Sequence, residues 1–146
     1  MTHLLDTDIL MAILRGLRAS ERPSRAERSK ALVDRCIALQ STGHEVGLSA
    51  ITASELEFGA RNSARYEDEM NAVRKVLAPF KIFDFDATAC PAHYGHVRYE
   101  LERRGKTIGA MDLLIAAHAL ALDAILVTNN VAHFSRISGL RVASSI

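Results

Sequence analysis

Short apolar runs alternate along this chain with longer stretches of helical periodicity. His3-Leu4-Leu5 is a brief apolar run that meets the polar triplet Asp6-Thr7-Asp8, after which Ile9, Leu10, Ile13 and Leu14 recur on one helical face. The pattern predicts strand, turn and helix, with Thr7 or Asp8 as the cap and Asp6 at the carboxyl end of the strand. Arg15 to Lys30 is polar, rich in Arg and Ser and broken at Pro23-Ser24, which predicts a loop. Ala31, Leu32, Val33, Ile37, Ala38 and Leu39 restore an apolar face and predict a helix closed by Gly43. Val46-Gly47-Leu48-Ser49 predicts the second strand, and Thr52 is a plausible cap for a helix holding Leu56, Phe58 and Ala60, which puts Glu55 in its first turn.

Glu67 to Leu77 predicts a helix ended by Pro79, and Phe80-Lys81-Ile82-Phe83 a third strand. Asp86 to Arg104 reads as mostly helical beyond Pro91, and Gly105 ends it. Ile108-Gly109-Ala110-Met111-Asp112 opens an apolar helix over Leu113 to Leu122, Ala124-Ile125-Leu126-Val127 is the clearest strand, and Arg141-Val142-Ala143 is the last. Strands separated by helices predict an α/β domain, because parallel neighbours need crossover connections. The expected architecture is a mostly parallel sheet of about four to five short strands flanked by helices. At 146 residues the chain is expected to form a single domain over residues 1–146.

Composition narrows the class. With 49% hydrophobic and 24% charged residues the chain has the make-up of a globular protein with a buried core. No apolar run approaches the ~18–20 residues of a membrane span, so no membrane association is expected. Cys36 and Cys90 form no CxxC pair and are too few for a stapled secreted scaffold, which predicts a cytoplasmic protein.

Candidate chemistry follows from topology. In an open α/β sheet, function collects beyond the carboxyl ends of the strands, where Asp6, Glu55, Asp112, Asn129 and Asn130 are expected. Crowded carboxylates repel one another unless divalent cations offset their charge, and magnesium accepts a few carboxylates together with water. Each acid also has a plain structural use: Asp6 with Thr7 as a cap, Glu55 and Asp112 as partners of a helix dipole. Asp112 stands out because it interrupts the apolar stretch from Ile108 to Leu122, where a charge is costly unless used.

Four segments resemble the PIN-domain family, and within it the VapC-type toxins of bacterial toxin–antitoxin systems. They are Leu4-Leu5-Asp6-Thr7-Asp8-Ile9-Leu10, Ile51-Thr52-Ala53-Ser54-Glu55-Leu56-Glu57-Phe58-Gly59-Ala60, Ile108 to Ala119 around Asp112, and Leu126-Val127-Thr128-Asn129-Asn130. The resemblance implies a PIN-like fold and a magnesium-dependent endoribonuclease, with manganese as a possible substitute, that cleaves RNA through metal-activated water. It also implies a small VapB-like antitoxin as partner and a homodimer. Carried over by position, Asp6, Glu55 and Asp112 match the metal-holding acids and Thr128 the hydroxyl of the last motif. Asn130 and Asp8 are supporting candidates, and Asp8 is read as a helix cap in preference to an outer carboxylate. Many members carry an acid shortly after the threonine, whereas this chain has Asn129 and Asn130 and then His133, which could approach the site from the final loop. Asparagine offers a carbonyl oxygen but no charge.

Two other functions compete. Leu4-Leu5-Asp6-Thr7-Asp8 and Val127-Thr128-Asn129-Asn130 mimic motifs of haloacid-dehalogenase-like phosphatases, but Asp112 precedes Thr128 here, against that family's order. A non-catalytic module binding RNA or protein would also accommodate the missing acid. The 18 basic and 17 acidic residues nearly cancel, yet residues 15 to 35, Glu21 included, carry +4 and the remainder −3. Arg103, Arg104 and Lys106, just before Asp112, are candidate RNA contacts. His93 and His96 share a helix face without a third ligand, and His118 reads as packed and hydrogen-bonded.

Overall fold

In a computed structural model that describes residues 1–18 and 22–146, the chain runs β1 (Thr2–Leu5), α1 (Thr7–Gly16), α2 (Pro23–Ser41), β2 (Glu45–Ser49), α3 (Ala50–Asn62), α4 (Tyr66–Leu77), β3 (Lys81–Phe83), α5 (Ala89–Arg103), α6 (Ala110–Ala121), β4 (Ile125–Val127), α7 (Val131–Phe134) and β5 (Arg141–Ala143). The five strands form one wholly parallel sheet in the order β3-β2-β1-β4-β5. The chain therefore builds outward from β1 in one direction through β2 and β3, then returns to lay β4 on the other side of β1. That reversal makes the carboxyl ends of β1 and β4 a topological switch point, the crevice where α/β sheets bind ligands.

The two-residue period of the strands divides the core between the two faces of the sheet. Leu5, Val46, Leu48 and Val127 pack with Ile9, Leu10 and Ile13 of α1, Cys36 of α2, Leu56 of α3 and Val73 of α4. Leu4, Phe83 and Leu126 point the other way, onto Val97 and Leu101 of α5 and Leu113, Ile115 and Ala116 of α6. On α6 the small side chains of Ala116, Ala117 and Ala119 are fully buried, which explains its almost unbroken apolar sequence. Gly47 allows β2 to lie against β3: a Cβ there would stand 2.1 Å from the Lys81 carbonyl oxygen.

Several boundaries differ from the sequence expectation. The cap of α1 is Asp6, not Thr7 or Asp8: its carboxylate accepts from the Ile9 N–H, and Asp8 lies exposed in the first turn. The polar stretch to Lys30 is not all loop, because Pro23 opens α2 at a position where its missing N–H costs nothing. Glu21 and its neighbours at 19–20 lie outside the described residues. Ser49 rather than Thr52 caps α3, so the helix starts earlier and Glu55 falls in its second turn. α6 begins at Ala110, within the Ile108–Asp112 segment expected to open it, and ends at Ala121. Gly43 and Gly105 close α2 and α5 as expected, with φ of 91° and 65°.

Candidate active site

Asp6 is the centre of the switch point. Its backbone N–H extends the β1–β4 ladder to the Val127 carbonyl at 3.0 Å, while its Oδ1 accepts from the Ile9 N–H at 2.9 Å. The same residue thus ends a strand and starts a helix, which fixes its side chain at the crevice floor with only 4% exposure. Thr128, fully buried after β4, hydrogen-bonds the Asp6 carboxylate. Its Oγ1 also accepts from the Asn130 N–H at 3.0 Å, so the hydroxyl hydrogen is the one directed at Asp6.

Burial pushes the Asp6 carboxyl above its ordinary pKa. Hydrogen bonds from Thr128 and Ile9 oppose the shift, and the charges of Asp8 and Asp112 add to it. Asp6, Asp8 and Asp112 are therefore electrostatically coupled. Asp112 sits in the first turn of α6 with its side chain 45% exposed. The expectation that Asp112 bears the cost of an apolar environment is thus corrected, and the buried charge is Asp6. His133, on the short helix α7, places Nε2 3.1 Å from Asp112 Oδ2 and packs edge-on against buried Phe134.

Glu55 is carried by a third element, α3, and unlike Asp8 and Asp112 it is not among the groups acting on Asp6. Thr7 and Thr52 share a hydrogen bond of 3.0 Å between their hydroxyls, which ties α3 to the start of α1. Glu55 lies three residues beyond Thr52, on the same helix face, and is half-buried. The start of α3 is fixed in turn by Ser49, whose Oγ accepts from the Ile51 N–H at 3.0 Å and lies 2.7 Å from His118 Nδ1. A hydroxyl oxygen can accept twice, or accept once and donate once, so this contact holds the imidazole against Ser49 in either tautomer. Burial lowers the His118 pKa, against the opposing influence of the Asp84 backbone and of Asp84 and Asp86, so the ring is neutral near pH 7. His118 supports the cap of α3, a role that its apolar sequence neighbours conceal.

Among the described residues no three or more His, Cys, Asp and Glu side chains already stand in metal-holding geometry. The donor set nevertheless fits a hard divalent cation. It consists of carboxylate oxygens, and the desolvated one, Asp6, is coupled to two further carboxylates. Asn130 contributes its backbone N–H to the Thr128 hydroxyl, and its exposed side chain makes no capping bond. Of the basic candidates, Arg104 donates to the Arg136 carbonyl at 2.6 Å and Arg103 lies over the Tyr99 ring, while Lys106 is exposed.

Residues 3–140 match the PIN domain. This chain belongs to the PIN-domain family. Its relatives place it among the VapC ribonucleases: Ribonuclease VapC2 of Rickettsia felis is 40% identical over 102 residues, covering 70% of this chain and 75% of that protein. The tRNA(fMet)-specific endonuclease VapC of Shigella flexneri is 37% identical over 94 residues, 64% of this chain and 70% of that protein. A chain from the crystal structure of Rickettsia felis VapBC2 bound to a promoter DNA fragment superposes with a TM-score of 0.79 at 32% identity, over 98% of both chains. PIN-domain ribonucleases generally depend on divalent metal. The PIN-domain assignment replaces the phosphatase alternative, and no helix among the described residues is long and apolar enough to cross a membrane.

Proposed function

We propose that this PIN-domain protein is a magnesium-dependent endoribonuclease acting as the toxin of a toxin–antitoxin pair. The observation that carries the reading is Asp6: a buried carboxylate at the switch point, crowded by two other acids, is a standing cost that a bound cation would offset. Asp6, Asp112 and Glu55 would hold the ion. When bound, it supplies Lewis-acid polarisation of a phosphate oxygen and a lowered pKa for water. The remaining work belongs to the chain. The Ile9 N–H and Thr128 hydroxyl fix the Asp6 carboxylate, and His133 Nε2–H orients Asp112. Glu55, half-buried on its own helix, is the group that takes the proton from attacking water or completes the ligand set. Asp8, exposed in the first turn of α1, contributes charge to the crevice and favours the helix dipole.

A small VapB-like antitoxin, a homodimeric toxin, a single domain over residues 1–146 and a cytoplasmic setting complete the proposal. The antitoxin rests on the VapBC complexes among the structural neighbours. The test incubates purified protein with messenger, ribosomal and transfer RNA, initiator tRNA included, in magnesium or manganese and then in excess chelator. A phosphomonoester serves as control. Cleavage is expected with metal only, and Asp6→Ala or Asp112→Ala should abolish it. Intact RNA in the presence of metal, or cleavage surviving both substitutions, defeats the reading. Induced expression should arrest growth, and the same substitutions should relieve it.

A further inference from the structure

A groove of about 600 Å³ runs between α1, α2 and the last residues of the chain, with Arg15, Arg28, Arg35, Asn129, Ser144 and Ser145 in its walls. Its lining includes Ile9 and Val127, whose backbones are direct hydrogen-bond partners of Asp6. The groove therefore borders the backbone groups that hold Asp6, while the acids themselves lie outside its lining. Arg28 and Arg35 stand two turns apart on one face of α2, roughly 10 Å along its axis, and Arg15 faces them from the last turn of α1. The acids of the same helix, Glu27 and Asp34, are absent from the lining, so α2 segregates its charge. Arg15, Arg28 and Arg35 are exposed, and none forms an ion pair with a carboxylate among the described residues. The second basic group differs: Arg98 pairs with Glu102 and Arg104 is held by a backbone carbonyl.

Forked guanidinium groups repeated along a channel, with amide and hydroxyl side chains between them and an apolar floor of Ile9, Ile13 and Leu32, suit a polyanion with planar groups between its charges. We infer that this groove is the track for the RNA strand on one side of the cleaved phosphate, an inference that rests on the endoribonuclease reading above. An acidic protein segment would match the arginines equally well. The border with the groups that hold Asp6, the carboxylate to which an RNA phosphate has to be brought, favours RNA.

The test measures binding of a labelled mixed-sequence single-stranded RNA to full-length protein in chelator, from 50 to 200 mM salt, for wild type and Arg28→Ala/Arg35→Ala. Each phosphate contact on a single strand contributes about 0.7 to the slope of log affinity against log salt, so the variant's slope should fall by about 1.4. Taking the contacts as lost at 1 M salt, that slope predicts binding weaker by about 60-fold at 50 mM and about 10-fold at 200 mM. Arg61→Ala/Arg74→Ala, on α3 and α4 and outside the groove's lining, should leave the slope unchanged. A wild-type slope and affinity in the Arg28/Arg35 variant overturns the inference. So does a variant that binds RNA normally but loses polyglutamate or the antitoxin, since the groove is then a protein site. Wild-type protein that cleaves no RNA in magnesium while keeping the arginine-dependent slope removes the ribonuclease reading and leaves the groove as an RNA-binding site.

Discussion

Replacing Asp6 with asparagine should make the metal-free protein more stable, whereas alanine should make it less so. Asn keeps an oxygen to accept from the Ile9 N–H, so the α1 cap survives. Thr128 can adapt as well, because its hydroxyl has two lone pairs and can accept from the new amide as well as from the Asn130 N–H. What disappears is a buried negative charge facing Asp8 and Asp112. Alanine removes the charge but also the cap, at a cost of about 1 kcal/mol, which corresponds to about 3–4 °C of melting temperature in a domain of this size.

The pH dependence carries the sign. The folded-state pKa of Asp6 lies above its unfolded value, so its destabilisation is absent below the unfolded value and complete above the folded one. In chelator the margin of Asp6→Asn over wild type should therefore be widest near pH 7–8. It should close as pH falls through the raised pKa toward about 4, the ordinary carboxylate value. Saturating magnesium reverses the ranking: at one hundred times its dissociation constant an ion bound only to the folded state adds about 2.7 kcal/mol. That is roughly 8 °C for wild type and little for the asparagine variant. Thermal unfolding by circular dichroism, with and without metal across that pH range, measures all of this. An Asp6→Asn protein less stable than wild type in chelator at pH 7.5 would refute the claim that the carboxylate is uncompensated. Equal magnesium shifts in both proteins would refute its role as a ligand.

Three further outcomes follow from the packing. Gly47→Ala forces a methyl against the Lys81 carbonyl and the Phe83 ring, so urea unfolding should register a loss of about 3 kcal/mol as β3 is pushed from the sheet. Thr128→Val keeps the shape but strips the hydrogen bond from Asp6 and the acceptor from the Asn130 N–H. It should cost about 1–3 kcal/mol, and a double-mutant cycle with Asp6→Asn should be non-additive, because the two sites share that bond. His118 has a folded pKa below its unfolded value of 6.5, so stability present above pH 6.5 should decline on acidification through the folded pKa. His118→Gln should flatten that part of the pH–stability curve.

The layout of the sheet was legible because its strands are short apolar runs set off by helices of strong periodicity, and each expected strand recurs within about a residue of its place. Helix starts were less legible. The strand-end residue itself caps the following helix at both Asp6 and Ser49, so the cap arrives earlier than the first polar residue after the turn would suggest. α2 begins early for a different reason: Pro23, read as a breaker, is tolerated in a first helical turn, and the Arg-rich residues behind it propagate a helix whose buried face is narrow. α7 escaped notice because four residues are too few to show a period.

The same junction geometry explains what the sequence obscured about the candidate site. A charge inside an apolar run looks expensive, and by that criterion Asp112 was the anomaly. Position 112 falls in the first turn of a helix, where the side chain leans outward and stays 45% exposed. Asp6, the first of the polar triplet Asp6-Thr7-Asp8, looks cheap in sequence yet is nearly inaccessible, because it lies where β1, β4 and α1 converge. Local polarity in a sequence therefore misjudges burial at a topological switch point, where the neighbours in space come from distant segments. Thr128 and His133, both brought in after β4, supply the contacts that no linear pattern displays. It is this convergence, rather than the number of acids in the chain, that gives the cluster a charge problem for a cation to solve.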